Sequence, residues 1–257
     1  MKPAFPNSAF VRAPERFVLA GGRWRFIDIP VRYGVFDHPI GGRCLVDTGY
    51  SDRTISGPRS LALKAYASVL RPKLTDAALP LAEEAVDTIL LTHLHADHIS
   101  ALRDYPEAKI FANGAAVKHF MEGSTLAGVR HGFFKEMMPD DFDARFTAFE
   151  SLEQVDGPLG IGTGADVFGD GSVLAVPLFG HMKGHTGVLW TQNERPLLYA
   201  ADAEWMRDAI VSDRSPGMPA RLILDDVAEA RASVERIRTF IDLGGEVALC
   251  HDPEPAR

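Results

Sequence analysis

The chain has 257 residues, 46% hydrophobic and 24% charged, which is the balance of a globular protein long enough to bury a sizeable core. Its formal charge of -8 argues against a nucleic-acid partner, because such binding draws most of its affinity from lysine and arginine contacts to phosphate. Two cysteines cannot staple a chain of this size, no stretch approaches the roughly 20 apolar residues of a membrane span, and the first seventeen residues lack a continuous apolar core; a reduced, cytoplasmic protein without a membrane partner is expected.

In chain order, Arg23 to Val31 and Arg43 to Val46 read as early strands, the second running into the turn-forming trio Asp47-Thr48-Gly49. Pro58 to Leu70 is a predicted helix, with Pro58 near its first turn and Leu61, Ala65 and Val69 as its apolar stripe. Val86 to Thr92 is a nearly continuous apolar run, as in a strand buried on both faces, and it ends at His93. Lys109 to Ala112 is a further strand, followed by a helix capped by Asn113 and running through Met121. From Glu122 to Gly171 no period is sustained, and loops with some helix are expected.

Ser172 to Phe179 reads as a strand, followed by Gly180-His181-Met182-Lys183-Gly184-His185, where glycines permit tight turns. Val188 to Thr191 and Leu197 to Ala201 are two more strands, the latter ending at Asp202. Asp225 or Asp226 caps a helix carrying Val227, Ala230, Val234, Ile237 and Ile241 at three-to-four spacing, which Gly244-Gly245 ends. Glu246 to Cys250 is the last strand, and it ends at His251. No repeat or Ser/Gly-rich linker divides the chain, so residues 1–257 are read as a single α/β domain.

The chemistry concentrates in His93-Leu94-His95-Ala96-Asp97-His98, which packs four potential metal ligands into six residues. In an extended segment His93 and His95 point the same way, and a turn near Ala96 swings Asp97 and His98 toward a second point. Each of these residues alone is more often a structural histidine or a capping aspartate. The cluster reverses that weighting, because His185, Asp202 and His251 each follow a predicted strand or its turn, where layered α/β folds gather ligands. Imidazole and carboxylate without thiolate suit zinc, or manganese, iron or cobalt, and the count suits two ions. One ion is assigned His93, His95 and His185, the other Asp97, His98 and His251, with Asp202 bridging. Cys250 is left out, because strand alternation turns it away from His251. Two such ions acidify a shared water and polarise a substrate carbonyl or phosphoryl oxygen, so hydrolysis by a bridging hydroxide is the expected reaction, with Asp97 handling the proton.

The His93 to His98 run resembles the HxHxDH signature of the metallo-β-lactamase superfamily, and Leu45-Val46-Asp47-Thr48-Gly49 resembles its early strand and Asp-turn. The resemblance reaches from Cys44 to His251 and implies a four-layer αβ/βα sandwich, with mixed sheets flanked by helices. Within the superfamily, true β-lactamases usually lack an aspartate at the position of Asp202 and are exported. Glyoxalase II adds a helical glutathione-binding domain after the last ligand, where this sequence has six residues, and ribonuclease Z usually adds a basic arm. The chain is most similar to the quorum-quenching N-acyl-homoserine lactonases, which implies a lactone substrate, His185 as the ligand of the Gly180 to His185 motif, and His181 as its structural histidine.

Those enzymes often carry a tyrosine three positions after the bridging aspartate; this sequence has Trp205, whose N–H donates a hydrogen bond but is not the same acid. Trp205 is therefore a candidate for the substrate pocket, and esters, thioesters and phosphotriesters stand as alternative substrates. A metal-stabilised binding protein without turnover is the reading from another class, disfavoured because a structural metal needs no open position. Phe120, Met121, Phe133, Phe134, Met137 and Met138 line either an apolar channel, a homodimer contact or the core.

Overall fold

A computed structural model describes residues 2–78, 85–212 and 224–253. The chain forms two compact units, an N-terminal one of Pro3–Arg12 and Pro30–Ala148 and a C-terminal one built from Ala13–Ile29 and Phe149–Arg257. No helix among the described residues is long and apolar enough to cross a membrane.

Strand β1 (Asn7–Pro14) is followed by β2 (Phe26–Arg32), β3 (Gly34–His38) and β4 (Gly42–Val46). After β5 (Lys73–Leu74), which pairs antiparallel with β1, come β6 (Thr88–Leu90), β7 (Lys109–Ala112) and β8 (Phe146–Ala148). The sheet of the N-terminal unit runs β3-β4-β6-β7-β8, antiparallel between β3 and β4 and parallel elsewhere. All three residues of β6 are buried, as in a parallel strand covered on both faces. The apolar run expected from Val86 to Thr92 is thus real, although only its middle joins the ladder, placing Asp47 and His93 just beyond the ends of the adjacent strands β4 and β6.

The helix Leu61–Leu70 is capped by Ser60, whose hydroxyl accepts the Leu63 N–H, and Pro58 lies outside it. Its buried face is not the expected one. Leu61 and Val69 are 83% and 78% exposed, while Leu63 is buried and Tyr66 packs edge-on against Phe134, its hydroxyl 2.7 Å from that of Tyr50. The helix is apolar on two stripes, so its period permits either face and the packing partner decides. Asn113 caps the helix Gly114–Glu122 as expected. Phe120, Phe133, Phe134, Met137 and Met138 are buried and build the core of this unit, with the Phe120 and Phe133 rings 5.4 Å apart.

The C-terminal unit holds β9 (Gln154–Asp156), β10 (Thr163–Asp166), β11 (Val173–Pro177), β12 (Thr186–Trp190), β13 (Leu197–Tyr199) and β14 (Glu246–Ala248), ordered β14-β13-β12-β11-β10-β9. All pairs are antiparallel except β13 with β14. Leu174, Val176 and Leu178 share one face by period-two alternation and join Leu198, Ile237 and Phe240 in the core. The helix Val227–Asp242 starts at Asp226, whose carboxylate accepts the Ala228 and Glu229 N–H groups, and buries Ala230, Val234, Ile237 and Phe240. Val227, counted in its expected apolar stripe, is 40% exposed in the first turn.

Candidate metal centre

In the N-terminal unit Asp47 leaves β4 with a left-handed φ of 61° and is fully buried. Its carboxylate accepts the Thr92 N–H and hydroxyl and lies 2.8 Å from His98 Nδ1. The Thr48 N–H and hydroxyl both donate to the His98 carbonyl, and Ser100 donates to the Gly49 carbonyl, so the loop after β4 grips the turn that carries His98. His95 occupies the N-cap position of the short helix Ala96–Ile99 without a side-chain capping bond, and the chain turns there as expected. A Cβ placed on Gly132 would lie 3.0 Å from the His95 ring, so this glycine lets the backbone seat that ring closely.

His93 Nε2 and His95 Nδ1 lie 2.9 Å apart, and Thr92 Oγ1 is 3.0 Å from His93 Nδ1. Two nitrogens on one tetrahedral zinc, each at about 2.0–2.1 Å, would lie roughly 3.3 Å apart; at 2.9 Å the two ring nitrogens share a hydrogen bond and stand somewhat closer than two ligands of one ion. Asp97 is partly exposed, with Oδ2 3.5 Å from His98 Nε2. Burial pushes the Asp47 carboxyl above its ordinary range, against the pull of His98 and Thr92.

In the C-terminal unit the Asp202 carboxylate follows β13, after Ala201 with its left-handed φ of 46°. Hydrogen bonds from Ala200 N–H to Ala248 and from Cys250 N–H to Ala201 tie the exits of β13 and β14 together. His251 Nε2 is thereby 3.1 Å from Asp202 Oδ2, and His181 Nε2 is 3.5 Å from the same oxygen. Burial alone would lower the His251 pKa, but the Asp202 carboxylate and Cys250 outweigh it and raise it well above the usual value. His185 is fully buried with Nδ1 2.9 Å from the Leu178 carbonyl, while its Nε2 accepts the Asp202 backbone N–H at 3.2 Å.

Two features of this half escape a reading by strand period and motif. Cys250 does not turn away: its sulfur, an Asp202 oxygen and a His251 nitrogen lie within 4.8 Å of one another, because β14 ends at Ala248 and alternation no longer applies. His181, expected as a purely structural residue, faces the Asp202 carboxylate. The Trp205 ring stands edge-on to both His181 and His251, with centroids 6.3 and 6.4 Å away. Beside it Glu204 is buried, and burial lifts its carboxyl to about 7. No spacing rule singles out Glu204, since a lone glutamate after a strand usually faces solvent.

These two ligand sets, each at the ends of its own sheet, coincide with a match to the metallo-beta-lactamase superfamily over residues 29–240. The chain belongs to that superfamily. Its fold is the α/β metallo-β-lactamase fold and it is a metal-dependent hydrolase of that group, as the HxHxDH run implied. The N-acyl homoserine lactonase AttM of Rhizobium radiobacter is 25% identical over 237 residues, covering 88% of this chain and 83% of AttM. A crystal structure of a variant of AiiA from B. thuringiensis, with N-decanoyl-L-homoserine bound at its active site, superposes with a TM-score of 0.71 at 16% identity, covering 98% of this chain and 93% of AiiA. AidC, a dizinc quorum-quenching lactonase in complex with a product, gives a TM-score of 0.66 at 15% identity, covering 98% of this chain and 88% of AidC.

Proposed function

We propose that this chain is a dinuclear zinc hydrolase that opens lactone rings, with N-acyl-homoserine lactones as its substrates. The observation that carries the reading is the His93–His95 pair, two ring nitrogens 2.9 Å apart at the exit of a buried strand. The similarity to AttM, an N-acyl homoserine lactonase, supports the substrate class.

In this reading His93, His95 and His185 would hold one ion, Asp97, His98 and His251 the second, and Asp202 would supply a ligand to both. The donor chemistry fits: His98 Nδ1 is held by Asp47 and His185 Nδ1 by the Leu178 carbonyl, which favours the Nδ1–H tautomer and leaves Nε2 as the basic nitrogen; on His185 an ion would take the place of the Asp202 N–H that Nε2 now accepts. When bound, the two ions supply polarisation of the lactone carbonyl and acidification of a water. Asp97, the most accessible carboxylate of its set, takes the proton of the attacking water and returns it to the ring oxygen as the acyl–oxygen bond breaks. The products are a carboxylate and an alcohol. The Trp205 N–H can donate a hydrogen bond to substrate but cannot transfer a proton as a tyrosine hydroxyl can.

The test is metal analysis of the purified protein followed by a panel of acyl-homoserine lactones, simple lactones, aryl esters and a phosphotriester. About two divalent ions per chain and preferential lactone turnover are expected; fewer than one ion per chain contradicts the centre. Trp205, in place of the lactonase tyrosine, favours a second reading in which an ester or phosphotriester is the substrate, and efficient cleavage of those without lactone turnover would establish it. His181 also faces Asp202, so metal content in His185→Ala against His181→Ala decides which histidine is the ligand.

A further inference from the structure

Within the C-terminal unit, beside Asp202, lies a cavity of about 30 Å³ walled by Val227 and Val234 and lined by Asp202, Glu204, Trp205 and Arg231. That volume holds roughly two water-sized groups, so it admits a small polar group and not an acyl chain. Glu204 is only 4% exposed, and its Oε2 is buried without a hydrogen-bond partner among the described residues. A buried carboxylate oxygen left unsatisfied costs free energy that a ligand donor recovers. Arg231, exposed on the first turns of the helix Val227–Asp242, brings hydrogen-bond donors to the same cavity. Glu204 and Arg231 thus bring a buried acceptor and exposed donors to the lining of one small cavity, a pairing that matches a group carrying one N–H and one C=O.

We propose that the Glu204–Arg231 cavity recognises the secondary amide of the substrate, Glu204 accepting its N–H and Arg231 donating to its carbonyl. The inference rests on the lactonase reading for the reaction, and assigns to these two side chains the discrimination between amide-bearing lactones and those without an amide. The acyl chain and the lactone ring stay outside the cavity. Burial makes Glu204 the stronger determinant, because a hydrogen bond shielded from water discriminates more than one at an exposed guanidinium.

The experiment compares an N-acyl-homoserine lactone with its O-acyl analogue, in which an ester oxygen replaces the N–H, on wild type, Glu204→Ala, Glu204→Gln and Arg231→Ala. Wild type should prefer the amide, and Glu204→Ala should lower the amide-to-ester ratio of kcat/KM by about 10-fold or more, mainly through KM. Glu204→Gln keeps an acceptor oxygen and should restore most of the ratio; Arg231→Ala should leave the ratio near wild type, because both compounds keep the acyl carbonyl, and raise KM for both. A loss common to both substrates in Glu204→Ala, with the ratio unchanged, overturns the proposal, as does a wild type with no amide preference. Calorimetric binding of the same two compounds gives a readout without turnover. Absence of turnover with a Glu204-dependent binding preference would sink the lactonase reading and uphold the cavity, whereas turnover without that preference would do the reverse.

Discussion

Asp47 and His98 form a fully buried pair, carboxylate oxygen to Nδ1 at 2.8 Å, joining the turn after β4 to the short helix after β6. The pair anchors the ligand set of the N-terminal unit. Asp47 also accepts two hydrogen bonds from Thr92, whose hydroxyl in turn reaches His93, so one carboxylate orients two histidines at once. The position after a strand supplies the rigidity, and the left-handed φ of Asp47 aims its side chain back across the strand ends.

Asp47→Asn tests this relay with little backbone cost, since asparagine tolerates the left-handed region. An amide in place of the carboxylate removes the charge that favours the His98 Nδ1–H tautomer. Outer partners of this kind change metal affinity by about 10–100-fold, and a loss of that size is expected in a chelator competition titration. Affinity within twofold of wild type would show that Asp47 only fills space.

Asp97→Asn separates proton handling from folding. Its side chain is partly exposed, so the fold should survive, while the rate of lactone opening should fall about 10²-fold or more. Single-turnover kinetics at matched metal content give the comparison. A near-normal rate would remove Asp97 from the reaction.

Alkaline pH tests the N-terminal core. Burial pushes both the Cys44 thiol and the Tyr33 hydroxyl up to about 12. Their folded pKa values lie above the unfolded ones, so the unfolded chain loses these protons first; stability is full below about pH 9 and declines as pH rises toward 12. The loss from Cys44 is on the order of a few kcal/mol at the top of that window. Urea unfolding of wild type and Cys44→Ala from about pH 8 to pH 11 isolates it, because the packing defect of the alanine variant does not depend on pH. Parallel curves for the two proteins would refute the assignment.

Much of this was legible in the chain because local chemistry and global position agree at the strand ends. His93 to His98 stands out by residue type alone, and Asn113 and Asp226 announce the helices they cap. What escaped was decided by tertiary partners. The helix Leu61–Leu70 has two apolar stripes, and only contact with Phe134 selects Tyr66 over Val69. Strands β8, β9 and β10 are short and carry Thr, Gln and Asp, so their pairing is set by neighbours and not by their own propensity. Glu204 and Cys250 owe their places to irregular backbone past a strand end, where no period reports direction.

Gly180 offers the sharpest steric test of the C-terminal unit's ligand loop. Its φ is 120°, and a Cβ there would come within 2.0 Å of the Ala230 backbone nitrogen, in the helix Val227–Asp242. The helix start and the Gly180 loop are also tied by hydrogen bonds from Asp226 N–H to Gly180, Asp225 N–H to His181 and Lys183 N–H to the Asp225 carboxylate. Gly180→Ala must therefore displace the loop holding His181 and His185, at a cost of roughly 3 kcal/mol or more. Gly169→Ala is the control: its φ is 76° with nothing within 4 Å of the added Cβ, so it carries backbone strain alone, about 1–2 kcal/mol. Ala230→Gly should not rescue Gly180→Ala, because the nearest obstacle is a backbone atom. Equal unfolding free energies for the two alanine variants, or rescue by Ala230→Gly, would show that the loop and helix are less tightly joined than these distances require.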